Sequence, residues 1–148
     1  MSTDSKDKMN TTQLMSMIKN SSDFSEVDEI LRECVGSTEF CHCLYDTMSR
    51  HGMRPKDVIS LSEMERSYFY HILSGSKIPL RNIVIRIALC IGADLAETNR
   101  LLLLAQQGTL YVKIRRDAAI IFCIENGKSM REANDLLLSL GEAPLYKD

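Results

Sequence analysis

The residues of this chain best equipped for recognition chemistry are Arg66, Ser67, Tyr68, Tyr70 and His71. Guanidinium, hydroxyl and imidazole donors stand there beside aromatic rings, a set that can meet phosphates and base edges in a major groove. The residues interleaved with them, Phe69, Ile72 and Leu73, fall at i, i+3 and i+4, the spacing of the inner face of a helix. The five donor-rich and aromatic positions are then left outward. Tyr68 is expected to pack against a neighbour and Tyr70 to stay available. His71 reads equally as a bystander on the surface and as a contacting residue.

Other reactive groups point to simpler roles. Cys41-His42-Cys43 looks like a metal motif, but on a helix positions i and i+2 diverge, and no Cys-x-x-Cys pair completes a tetrahedral site. Two buried thiols flanking a surface histidine is the expectation. His51, beside Gly52, reads as a helix C-terminal residue meeting the helix dipole. No glycine-rich phosphate loop, nucleophile elbow or paired carboxylates appear. No catalytic residue, metal or cofactor is therefore expected, and no enzymatic activity. The methionines read as adaptable core or interface filler.

The chain of 148 residues suits one well-buried core, and 45% hydrophobic with 26% charged residues is ordinary globular composition. Its apolar runs, such as 118–124, are far shorter than a membrane span, and its first residues do not resemble a signal peptide. The five cysteines (34, 41, 43, 90 and 123) lack the spacing of a disulfide framework, which fits a reducing compartment. A cytoplasmic protein is expected. The net charge of −2 hides an uneven distribution. Residues 1–39 carry four Lys/Arg against eight Asp/Glu. Residues 54–86 carry Arg54, Lys56, Arg66, Lys77, Arg81 and Arg86 against Asp57, Glu63 and Glu65, a modest basic stretch.

The elements that would position these groups are all helical. Residues 1–10 are polar and expected to fray. Thr11 or Thr12 can cap a short helix carrying Leu14, Met15, Met17 and Ile18, and a second runs from Glu26 to Cys34 before Gly36-Ser37. Phe40, Leu44, Tyr45 and Met48 mark a longer helix ending near His51-Gly52. Pro55 suits the first turn of a brief helix to about Leu61. Ser62-Glu63-Met64 form a tight connection, and a helix from about Glu65 to Leu73 follows. Helices over 81–90, 96–106, 116–125 and 130–140 complete the chain. No segment alternates with period two, so the fold class is all-α.

Shifting the chain by 35 positions aligns residues 81–111 with 116–146. Arg81 meets Arg116, Gly92 meets Gly127, Glu97 meets Glu132, Asn99 meets Asn134, and Leu110-Tyr111 meets Leu145-Tyr146. Each copy reads as a helical hairpin closed by a Leu-Tyr anchor. Two copies cannot form a free solenoid, so they should pack on the preceding helices.

From Phe40 to Leu104 the sequence resembles the lambda-repressor-like, Xre-type helix-turn-helix family. The resemblance lies in the spacing of the two central helices, in Arg66-Ser67-Tyr68-Phe69-Tyr70-His71-Ile72-Leu73-Ser74-Gly75 followed by Pro79, and in Ile87-Ala88-Leu89-Cys90-Ile91-Gly92. Glu63 stands where the family has its turn glycine. The resemblance implies a helix-turn-helix bundle, here at 37–106; the helical reading of the flanks adds an N-terminal segment at 1–36 and a C-terminal hairpin at 107–148 packed on the bundle. It implies a third helix, Glu65 to Leu73, lying in the major groove of double-stranded DNA. Arg66, Ser67, Tyr70 and His71 would contact bases, and Arg54, Lys56, Lys77 and Arg81 would contact phosphates. A sequence-specific transcriptional regulator, acting as a homodimer, is the expected function. The alternative is a protein-interaction module on the same scaffold, docking through its N-terminal or C-terminal helices.

Overall fold

Apolar side chains recur at three- and four-residue intervals through most of the chain, and such runs coil into helices, most of which turn the apolar stripe inward. In a computed structural model, residues 11–34 and 37–147 are described, and every regular element among them is helical. The order is α1 (Thr11–Asn20), α2 (Phe24–Cys34), α3 (Ser37–Arg50), α4 (Pro55–Ser62), α5 (Arg66–Ser74), α6 (Arg81–Ile91), α7 (Leu95–Leu104), α8 (Arg115–Glu125) and α9 (Met130–Ser139). No helix among the described residues is long and apolar enough to cross a membrane. The polar start, residues 1–10, and Gly36 lie outside the described residues.

Helix ends follow local chemistry. Pro55 opens α4, where its missing N–H costs nothing, and Asp57 Oδ2 accepts the Arg54 N–H at 2.9 Å. The second central helix begins one residue later than its sequence suggests. Glu65 keeps an extended backbone as the cap of α5, which ends at Gly75 with φ 87°.

One core joins α3 to α9. Phe40, Leu44 and Met48 from α3 meet Val58 of α4, Phe69 and Ile72 of α5, Ile85 and Ile87 of α6 and Leu101 and Leu102 of α7. Ile120 and Leu137 extend it into the last two helices. Helix α3 packs on α5 and α7, and α4 packs on α6. Helix α1 packs on α2; it buries none of its own residues, while Val27 of α2 is buried.

Several hydrogen bonds of the 35-residue repeat recur at equivalent positions. Asp94 and Ser129 cap α7 and α9, each accepting the N–H of a glutamate three residues on, Glu97 or Glu132, which caps in return. Asn99 Oδ1 accepts the Leu110 N–H at 2.8 Å, and Asn134 Oδ1 accepts the Leu145 N–H at 2.7 Å. Arg81 Nε donates to the Gly108 carbonyl and Arg116 Nε to the Ala143 carbonyl, both at 2.8 Å.

Between the copies the contacts interchange. Arg81 donates to Asp117 at 2.9 and 3.1 Å, while Arg116 donates to Asn82 Oδ1 at 2.9 Å, and Asn82 is the repeat equivalent of Asp117. Likewise α6 packs on α9, and α7 on α8. Interchange of this kind is the signature of a two-fold relation, as in an isologous dimer. The hairpins therefore close on each other, and the helices before them cover the first copy.

Candidate nucleic-acid interface

Helices α4 and α5 are joined by only Glu63, Met64 and Glu65. Met64 is buried and plugs the connection, while Ser62 Oγ accepts the Met64 N–H at 3.4 Å. Phe69, Ile72 and Leu73 bury the inner side of α5, and the buried Cys41 thiol of α3 donates to the Ile72 carbonyl. The opposite side of α5 is therefore turned to solvent by packing alone.

That side carries Arg66, Ser67, Tyr70 and His71, all exposed. The Arg66 guanidinium lies 5.4 Å from the Tyr70 ring centroid, so the two form one cationic aromatic surface. Ser67 Oγ donates to Glu65 Oε1 at 2.8 Å, and His71 Nδ1 pairs with Ser76 Oγ at 3.0 Å. Tyr68 is half-buried against the core, with the Lys77 ammonium 5.7 Å from its ring centroid. No carboxylate occurs within α5 itself.

The four residues expected at phosphates divide. Lys56 and Lys77 are exposed, and Arg54 is exposed beside Asp57, at 3.5 Å. The Arg54 backbone N–H, aided by the Arg54 and Lys56 charges, holds the Asp57 carboxyl below its usual value against a smaller effect of burial. Arg81 is turned to the repeat instead. Its guanidinium is shared among Asp117, the Gly108 carbonyl and the Thr109 carbonyl, which leaves little of its charge for a ligand.

Several residues outside the expected set shape this region. Glu63 takes a left-handed backbone, φ 58°, at the turn between α4 and α5, and its carboxylate pairs with Arg131 of α9. Arg86 of α6 donates to the Ser62 carbonyl at 2.6 Å and stacks 4.8 Å from the Tyr146 ring centroid; its Nε is buried without a hydrogen bond. No local sequence signal marks Arg131 or Arg86, because each acts on a turn more than twenty residues away. Glu97 was visible only as a repeat position, yet it also receives Arg50 at 3.1 Å and His51 at 2.9 Å, joining the end of α3 to the start of α7.

The remaining reactive groups are quiet. His42 is exposed and Cys41 buried, with Cys43 half-buried. Burial pushes the thiols of Cys41 and Cys123 up, and that of Cys90 to about 11, which disfavours the thiolate that would react or bind metal.

No protein-family model matches this chain, and no curated protein or solved structure matches it at a significant level. The functional reading rests on the site itself.

Proposed function

We propose that the chain is a sequence-specific DNA-binding transcriptional regulator of lambda-repressor-like type. It would read the major groove with α5 as a cytoplasmic homodimer on a palindromic site. The observation that carries this reading is the outward side of α5. Arg66, Ser67, Tyr70 and His71 stand together there on a helix with no carboxylate of its own, Glu65 at its cap accepting from Ser67, one tight turn after α4 in a chain of net charge −2. Arg66 is the bidentate donor for a guanine, Tyr70 the apolar and hydroxyl contact beside it. Arg54, Lys56 and Lys77 would neutralise phosphates.

Fluorescence anisotropy with DNA from the protein's own promoter, titrated with salt, tests the proposal. Affinity should fall steeply with salt; Arg66→Ala should cost about 1–3 kcal/mol, and Lys77→Ala should flatten the salt slope by about one unit. Absence of binding even at low salt would refute it. A second reading, a protein-interaction module, draws on the exposed apolar side chains Leu103, Phe122 and Leu138 of the C-terminal hairpins. It predicts that Arg66→Ala and Lys77→Ala change nothing on DNA.

A further inference from the structure

The turn that enters α5 is gripped twice by groups that belong to, or rest on, the second repeat. Arg131 of α9 pairs with the Glu63 carboxylate. Arg86 holds the Ser62 carbonyl at 2.6 Å while its guanidinium lies over Tyr146, and the Tyr146 carbonyl in turn accepts from Asn134 of α9 at 3.2 Å. Glu63 is an unusual residue for this turn. Its left-handed backbone, φ 58°, is unfavourable for a residue with a Cβ, and its charge stands three residues before Arg66.

We infer that the second repeat is a brace for α5, in which Arg131 is a positioning residue that neutralises Glu63 and fixes the turn. This rests on the DNA-binding reading for its consequence but not for its geometry. Removing Arg131 leaves the Glu63 carboxylate without its ion-pair partner beside the DNA-facing helix and loosens one of the two holds on the turn. Arg131 acts through Glu63, so the effect of removing it depends on the charge at that position.

The test measures anisotropy on promoter DNA for the full chain and for Arg131→Ala, Arg131→Lys, Glu63→Gln and the Glu63→Gln/Arg131→Ala pair. Amide hydrogen exchange over residues 63–74 is measured on the same proteins without DNA. Arg131→Ala should weaken binding about three- to five-fold, the worth of an exposed ion pair, and speed exchange across the turn by a similar factor. Arg131→Lys, which keeps the charge, should stay near the parent protein. In the Glu63→Gln background Arg131→Ala should change affinity by less than about two-fold, because the coupled term is already gone. An equal loss with and without the Glu63 charge overturns the inference, since Arg131 would then act elsewhere. Should the parent chain not bind DNA, the functional proposal fails alone and exchange decides the brace. Unchanged exchange in Arg131→Ala overturns it.

Discussion

Asp117 shows how much one side chain can hold. It is 2% exposed, and its carboxylate takes both arms of Arg81 and the Tyr111 N–H at 2.9 Å. Burial raises its pKa, but the hydrogen bonds from Arg81 and Tyr111, with the charges of Arg81 and Arg116, outweigh burial and hold it below the usual 3.8. A depressed folded value means that the stabilisation is complete above 3.8 and is lost as pH falls through the folded value. Asp117→Asn should therefore flatten the acid limb of a pH–stability curve. Removing one partner of a buried pair costs about 3 kcal/mol, so urea unfolding at neutral pH should show a loss of that order. Arg81 was expected at a phosphate; if it serves DNA chiefly, Asp117→Asn would leave stability unchanged.

At the scale of elements, the repeat tells which backbone positions are under strain. Gln106 follows α7 with φ 60°, and its repeat equivalent Gly141 follows α9 with φ 74°. The left-handed conformation suits glycine and disfavours a side chain. Gln106→Gly should thus stabilise the protein by about 0.5 kcal/mol, the strain relieved less the entropy glycine adds to the unfolded chain. Gly141→Ala should destabilise by about 1 kcal/mol although nothing lies within 4 Å of the added Cβ, because the conformation and not the space is at fault. Thermal melts of the two variants should move in opposite directions. A shift of the same sign in both would show that the ends of α7 and α9 are not equivalent.

For the whole molecule, the hairpins and the preceding helices share one core and exchange ion pairs. A chain cut after residue 106 loses Asp117, Gly108 and Thr109, to which the Arg81 guanidinium donates, together with Arg131. It also uncovers the sides of α6 and α7 on which α9 and α8 rest. Such a fragment should unfold at lower denaturant and with a broader transition than the full chain. An unchanged midpoint would mean that the boundary at 106 separates independent units.

Helix positions, the all-α class and the 35-residue repeat were legible in the sequence because they depend on local periods, caps and residue identity. Asn99 and Asn134 match as letters and then as bonds to Leu110 and Leu145. The outward set Arg66, Ser67, Tyr70 and His71 was legible too, since Phe69, Ile72 and Leu73 decide which side of α5 is buried. What the sequence could not show is pairing across distance. Arg81 had the same claim on a phosphate as Lys77 until folding brought Asp117, 36 residues away, against it. Glu63, in the place of the turn glycine, has no partner in the neighbouring sequence; the ion pair with Arg131 forms only because α9 folds against the turn. A local period determines where a helix lies and which side it buries; only the tertiary structure decides which charges remain for a ligand, because an ion pair between distant segments leaves no trace in the spacing of residues.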